Sequence, residues 1–566
     1  MCDTCRALDF RYLPQKTYVN FWWIEPRDEP TKFLKYTQNC AICCILSLSQ
    51  WRPLHHFTFE LHSVLWVTDW ASQYVLGDPD DSVIVYVFDT LRRSTASYID
   101  PGPVICTPVG EMLQGHFRPR VVEETPNYTL AKCWLHCCLQ YHGTRCESTP
   151  SSIRNLKLIN CENMKVVEAG GPCHWLALSY VWGSNTGSVE TDTSEASSRL
   201  PDRLSQTVKD AISVTRRLGY RFLWVDEYCI DQHNEAHRAD QIRNMDQTYK
   251  GADLTIVAAA GKDKTYGLPG VNTTARTRNQ VVHLEHATLH TPCPDPLIEG
   301  TMRAKWYDRA WTFQEGLLSR RLLVFTEHQM AFYCQTASWA ESMPPADPKY
   351  FVQFHEQQPV KMDPELRADP FNTRISHVSH KWKTPRHTSL LHFMNMVNLY
   401  SCRRLTFMTD ALNAFAGVMS TLRQAEPVVY NIKGLPYCLC HQEQVENGDI
   451  TVIPISVEKA LLKALSWHTS WTEPSSRRHI FPSWTWADWN GHKVRFTCSM
   501  DVPDYHYATF RRMQFEDSNV QQVLDTITAI RFEALIIPSE SLRWGRWIHI
   551  RHRRFPGPPV HAVLCR

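Results

Sequence analysis

The chain has 566 residues, 43% of them hydrophobic and 21% charged, a composition that supports packed cores and, at this length, two to four domains. A formal net charge of +2 excludes the basic excess that drives general nucleic-acid binding, and the longest apolar stretch, CAICCILSLSQW, falls short of the roughly 18 residues of a membrane span. The N-terminus MCDTCRALDF lacks the basic and apolar regions of a secretory signal, so the expected location is cytoplasmic, with the 20 cysteines as reduced thiols or metal ligands rather than disulfides.

Cysteine pairs come first along the chain. Cys2 and Cys5 with Cys40 and Cys43 form two C-x2-C pairs, the ligand spacing of a structural zinc site; small buried hydrophobes are the alternative. Further on, CCLQYHGTRC sets Cys138, His142 and Cys146 four residues apart. On a helix they project from nearly one face, which would supply three metal ligands with a fourth from elsewhere, or pack thiols into a core. Gly143 interrupts that helix. Proline and polar clusters (TPSSIRN, SMPPADPKY, WTEPSSRRH) mark breaks near 150, 345 and 475.

Between the first two breaks the pattern is regular. WLALSY (175–180) is a short apolar run ending in a turn, the mark of a buried strand. DRLSQTVKDAISVTRRLG places Leu204, Val208, Ala211, Ile212, Thr215 and Leu218 at helical spacing, with Asp202 as N-cap and Gly219 as stop. RFLWVD (221–226) reads as a second strand. HRADQIRNMDQTYKGA reads as a helix with Ala239, Ile242, Met245 and Tyr249 on one face, and DLTIVAAAG as a third strand. Strand and helix in alternation predict an α/β fold with a doubly wound parallel sheet.

Ligands of such sheets sit beyond the carboxyl ends of the strands. Those ends carry Tyr180, Trp182 and Gly183; then Asp226, Glu227, Asp231 and Gln232; then Gly261, Lys262 and Asp263. Acidic groups beside aromatics suit a polar, ring-containing ligand. Asp226 and Asp231 are equally suited to holding a tight loop by side-chain to backbone bonds. Cys229, in the same loop, reads as core.

RAWTFQEGLL (309–318) predicts a helix with Asp308 as N-cap and Ala310, Trp311, Phe313, Leu317 and Leu318 on one broad face. Glu315 falls at the edge of that face beside Trp311. No cation stands three or four residues from it, so its partner within the helix is not an ion pair. A rim carboxylate serves a cleft or is simply solvated. Past 345, RRLTFMTDALNAFAGVMSTL predicts a helix with Ala411, Leu412, Phe415 and Val418 on one face, and FPSWTWADWNG a strand through Trp484 and Trp486 with a turn at Asn490 and Gly491. The basic stretch RWGRWIHIRHRRF reads as a solvated strand face.

LALSYVWG, LGYRFLWVDEYCIDQ, QIRNMDQTYKGADLTIVAAAG and RAWTFQEGLLSRRLLVF, in this order and spacing, resemble the fungal heterokaryon incompatibility (HET) domain over residues 174–318. The resemblance implies a fungal protein of non-self recognition that triggers programmed cell death, with homo-oligomers or other incompatibility proteins as partners. It implies distant kinship to TIR domains and hence a flavodoxin-like, TIR-like doubly wound sheet; the breaks near 150 and 345 set it between a Cys-rich N-terminal region (1–150) and a mixed α+β C-terminal region (345–566) with a Trp-rich strand segment. Some TIR domains hydrolyse NAD with the glutamate of a Trp-Cys-x-x-Glu block. WTFQE aligns Trp311 and Glu315 with that block, Thr312 replacing the Cys. NAD is then the implied substrate and Glu315 the implied catalytic carboxylate, because cleaving the nicotinamide to ribose bond builds positive charge that a carboxylate stabilises. Trp311 or Trp182 would stack on a ring. Other TIR domains only assemble, so a non-catalytic oligomerising module is the alternative.

Overall fold

The computed structural model describes residues 121–143, 146–147, 153–183, 199–231, 234–279, 281–283, 287–290, 293, 303–335, 338–342, 389–423, 428–444, 450–469, 476–490 and 493–496, with short strands at 19–24, 57–63, 83–88, 103–108, 508–509 and 533–534. The chain clusters into two compact units. The first is built from 1–230, 250–306 and 319–370, the second from 231–249, 307–318 and 371–566.

In the first unit, β1 (Val19–Ile24), β2 (Phe57–Ser63), β3 (Val83–Phe88) and β4 (Pro103–Pro108) precede α1 (Tyr128–Tyr141). The hairpin β5 (Lys157–Asn160) and β6 (Lys165–Glu168) leads to β7 (Trp175–Ser179), α2 (Gln206–Leu218), β8 (Phe222–Trp224) and the one-turn α3 (Asp226–Cys229). Then come β9 (Leu254–Ala258), β10 (Val281–His283), β11 (Ala287–His290), β12 (Arg321–Phe325), β13 (Met330–Cys334) and β14 (Ser338–Ala340). One sheet is antiparallel throughout, in the order β1-β2-β3-β4-β11-β10.

The second sheet of this unit runs β14-β13-β12-β9-β7-β8-β5-β6. Its centre, β12, β9, β7 and β8, is parallel, and an antiparallel hairpin closes each edge. The architecture is mixed α/β, with the three expected parallel strands in place. β7 (WLALS), β9 (LTIVA) and β12 (RLLVF) are buried at every residue, as near-continuous apolar runs must be when both faces of a parallel sheet are covered. Numbered along the chain, the parallel strands lie in the order 2-1-3-4, so the winding reverses between β7 and β9.

α2 buries Val208, Ala211, Ile212, Thr215 and Leu218 and stops at Gly219, whose φ of 92° is the left-handed cap glycine allows. Ser205, not Asp202, takes the N-cap position. β8 is shorter than expected, because Asp226 already opens α3.

The second unit holds α4 (Glu235–Arg243), α5 (Met245–Gly251), α6 (Trp311–Leu318), α7 (Ser389–Ser401), two 3-10 turns (Met408–Ala411 and Asn413–Phe415), α8 (Ala416–Arg423) and α9 (Val457–Ala464). Small antiparallel pairs join β15 (Tyr430–Ile432) to β16 (Leu435–Tyr437), β17 (Cys440–Gln444) to β18 (Ile450–Pro454), β19 (Trp467–Thr469) to β22 (Val494–Phe496), and β20 (Ser476–Arg477) to β21 (Trp489–Asn490). Phe415 is the hub of its core, with ring centroids 4.8 Å from Tyr400, 5.6 Å from Phe393, 5.8 Å from Trp486 and 6.0 Å from Phe313.

Three local expectations change here. The single helix through 235–251 is two, broken at Asn244, and Ala239 is exposed while Met245 and Tyr249 are buried. The helix expected around Ala411 to Val418 is wound as 3-10 turns before α8, though Ala411, Phe415 and Val418 are buried as the spacing requires. Trp484 and Trp486 do not alternate along a strand, since Trp486–Asp488 is a 3-10 turn with Thr485 accepting from Ala487 N. Buried Asp488 pulls the chain into that turn by accepting from Ile480 N, Phe481 N and Arg477 Nε. Among the described residues no helix is long and apolar enough to cross a membrane.

Candidate functional site

Three parallel strands bring their carboxyl ends to one edge of the first unit, where polar side chains interlock. β7 ends in Ser179 and leads into Tyr180, Trp182 and Gly183, and the Tyr180 hydroxyl donates to Glu227 Oε2 at 2.8 Å. Lys264, after β9, donates from Nζ to Glu227 Oε1 at 2.6 Å, with the two side chains only 16% and 8% exposed. Trp182 Nε1 donates to Asp226 Oδ2 at 3.0 Å, and the other oxygen of Asp226 accepts from Glu227 N at 2.8 Å. Glu227 thus ties the β7 loop to the β9 loop, and Asp226 ties the β7 loop to α3.

Burial, then the charges of Asp226 and Glu227, hold the Tyr180 hydroxyl well above the usual phenol range, so it remains a donor. The Asp263 carboxylate accepts from Thr265 N at 2.9 Å and Thr265 Oγ1 at 2.6 Å, and these bonds hold its pKa below the usual value. Gly183 has φ +94°, and a Cβ there would lie 2.6 Å from Asp263 Cβ. Glycine is therefore required where the β7 and β9 loops cross, beside the point at which the winding reverses.

The edge rests on satisfied interior polar groups. Trp306, fully buried, donates from Nε1 to Ser179 Oγ at 2.7 Å. Asp210, buried on α2, accepts from Gln206 Nε2, Leu268 N, Asn272 Nδ2 and Thr274 Oγ1 at 2.8–2.9 Å and so fixes the loop after β9. Cys229 is buried, and that burial pushes its thiol up to about 12, which makes it a core group and not a nucleophile.

Of the residues expected at a ligand site, Tyr180, Trp182, Gly183 and Asp226 gather at this edge. Asp231, Trp311 and Glu315 belong to the second unit. Asp231 Oδ1 accepts from Asn234 N at 3.2 Å, a loop-holding bond, and Trp311 Nε1 donates to Asp410 Oδ2 at 3.3 Å. Gln232 and the four cysteines Cys2, Cys5, Cys40 and Cys43 lie outside the described residues.

Glu315 is not at a solvated rim. It is 5% exposed and engaged with neighbours, because α6 is covered almost all round: Thr312, Phe313, Gln314, Gly316 and Leu318 are buried with it. Asp308 does not cap α6 but ends a separate helical turn at Lys305–Asp308. Lys264 is the edge residue that sequence reasoning passed over. In GKDK the lysine that reaches Glu227 is the second, and only the three-dimensional path of the loop distinguishes it from Lys262.

Residues 175–315 match the family Heterokaryon incompatibility protein (HET). The chain is 31% identical over 96 residues to Heterokaryon incompatibility protein 6, OR allele, of Neurospora crassa. That alignment takes in 15% of this chain and spans 14% of the length of the curated relative. No solved structure matches the chain.

Proposed function

From the HET domain that this chain carries at residues 175–315, we propose that the protein acts in heterokaryon incompatibility, as a fungal effector of non-self recognition and cell death. The observation that carries the reading is where the match falls. It opens on the first residue of β7 and closes on Glu315, so it encloses Tyr180, Trp182, Asp226, Glu227 and Lys264. The 2-1-3-4 strand order supports a flavodoxin-like, TIR-related sheet.

In this reading the ligand is NAD or a related nucleotide, met in the cytoplasm, and Glu315 is the carboxylate that stabilises positive charge on the ribose as nicotinamide departs. The test is NAD content in yeast expressing the full chain, compared with Glu315→Gln and Glu315→Ala at equal protein level. Depletion by the unaltered chain alone supports nucleotide cleavage. Unchanged NAD with undiminished toxicity overturns it.

A second reading, a non-catalytic module that assembles with copies of itself or with other incompatibility proteins, is favoured by one observation. Asp226 and Glu227 already have internal partners in Trp182, Tyr180 and Lys264, as carboxylates with a structural task do. Toxicity that survives Glu315→Gln and tracks with self-association of the purified chain supports this second reading.

A further inference from the structure

The first unit contains a group of four side chains that the incompatibility reading does not use. Cys138 lies in the last turn of α1, His142 is its C-cap, and Gly143, with φ +52°, turns the chain so that Cys146 comes back under the helix end. Cys146 N and Glu147 N both donate to Gly143 O at 3.0 Å and fix that turn. From the other side Cys334, the last residue of β13, reaches the same point. The four ligand atoms all lie within 4.8 Å of one another and all four residues are buried.

The two sulfur-to-nitrogen spacings suit a tetrahedron. Bonds of about 2.3 Å to sulfur and 2.0 Å to nitrogen, set at tetrahedral angles, put sulfurs about 3.8 Å apart and sulfur and nitrogen about 3.5 Å apart. His142 Nδ1 stands 3.3 Å from Cys334 Sγ and 3.8 Å from Cys146 Sγ. Trp339 stacks on the imidazole at 5.9 Å with an interplanar angle of 20°, which holds the ring in this orientation.

Thiols packed only as small hydrophobes would not call for a charged neighbour, yet one is present. Arg321, fully buried, faces Cys334 across the β12–β13 ladder. It donates from Nε to Cys138 Sγ at 3.1 Å, from Nη1 to Asp253 O at 2.9 Å, and from Nη2 to Cys146 O. Among the described ion pairs it meets no carboxylate. Three neutral thiols offer this cation no opposite charge, whereas a divalent ion with three thiolates and a neutral imidazole carries a net charge of −1 that the guanidinium offsets. A guanidinium N–H on a ligand sulfur is also the outer hydrogen bond that orients and tunes a metal thiolate.

We propose that Cys138, His142, Cys146 and Cys334 hold one zinc ion in a closed, structural Cys3His site that fastens the end of α1 to β13. Four protein ligands leave no open position, so the ion is a staple and not a catalyst. His142 and Cys334 stand 192 residues apart in sequence, so the ion closes a loop that contains the whole β7-to-β12 core.

The experiment uses the full chain with Cys2→Ser and Cys5→Ser, which removes the N-terminal pair as a second zinc source. Elemental analysis of that protein should give one zinc per chain. Adding Cys334→Ser should lower this to less than about a tenth, and adding Cys161→Ser, a buried thiol outside the group, should leave it unchanged. Zinc X-ray absorption on the parent should show three sulfurs at about 2.3 Å and one nitrogen at about 2.0 Å, a readout that stands even where Cys334→Ser fails to fold. Full zinc retention in Cys334→Ser, a sulfur count other than three, a disulfide among these cysteines, or no zinc after expression in zinc-supplemented medium overturns the proposal.

Discussion

Replacing Lys264 by Met keeps the aliphatic stem and removes the ammonium that stands 2.6 Å from Glu227 Oε1. An exposed pair would cost about 0.2–1 kcal/mol on such a change, and a buried pair about 3–5 kcal/mol. With side chains 16% and 8% exposed, this pair lies near the buried limit, and the retained bond from Tyr180 softens the loss. The expected destabilisation is therefore about 2–3 kcal/mol. Tyr180→Phe removes the other donor to the same carboxylate and should cost about 1.5–2 kcal/mol. In a cycle with Glu227→Gln, Lys264→Met should show a coupling of at least about 1.5 kcal/mol. The assay is heat unfolding of the full chain followed by near-ultraviolet circular dichroism, where such losses, in a unit the size of the first, lower the midpoint by roughly 2–4 °C. High salt should leave the difference between the variants intact, since screening reaches buried pairs weakly. A shift below about 1 °C, or additive single changes, would place the pair in solvent and refute a preorganised edge.

Gly183→Ala should destabilise the first unit by about 1–3 kcal/mol, because an L residue is strained at φ +94° and its Cβ would meet the stem of Asp263 at 2.6 Å; thermal melting of the variant reports the loss. Burial lowers the pKa of His328 below 6.5, so below that pH the unfolded chain binds the proton more readily than the folded one. Stability should then fall as pH drops from about 6.5 toward the folded-state value, and His328→Gln should flatten that part of a melting-temperature profile recorded from pH 8 to pH 5. Asp210→Ala leaves Leu268 N, a buried donor, without its acceptor and should cost about 3–5 kcal/mol, detected as early proteolytic cleavage in the loop at 266–274.

What was legible in the sequence was what local periodicity encodes. WLALS and LTIVA read as buried strands because a parallel sheet covered on both faces demands unbroken apolar runs, and Gly219 read as a helix stop because glycine alone enters the left-handed region cheaply. Asp202 and Asp308 were plausible caps by residue type, but a cap is chosen by where the first turn closes, and tertiary contacts moved both. Glu315 was misplaced for a related reason. A helical wheel assumes one dry face, and α6 is enclosed on nearly every side. The contribution of Cys334 to the Cys138, His142 and Cys146 group left no local trace, since its position depends on the register of β13 against β12.

The enclosure of α6 determines how its chemistry can be tested. The family match stops at Glu315, yet residues 307–318 cluster with 371–566. Ala310 and Phe313, 1% and 2% exposed, pack in one core with Phe393, Tyr400 and Phe415. Hydrogen bonds knit the same elements, two between backbones, with Ala310 N donating to Arg404 O at 2.9 Å and Arg404 N to Asp308 O at 2.6 Å, and one to a side chain, with Gly417 N donating to Gln314 Oε1 at 3.2 Å. A Cβ on Gly417 would lie 2.7 Å from Leu318 Cδ1, so α8 sits directly against α6. Cutting the chain after 345 uncovers all of this: Phe313 alone forfeits about 1.5–3 kcal/mol of burial, and the N–H of Ala310 loses its acceptor. The segment 150–345 should therefore express poorly, and its amides at 309–318 should exchange with solvent far faster than in the full chain. Soluble segment with those amides equally protected would refute this packing argument. If the packing holds, any effect lost in the isolated segment reflects loss of the α6 environment, and only Glu315→Gln in the full chain separates a missing carboxylate from a missing fold.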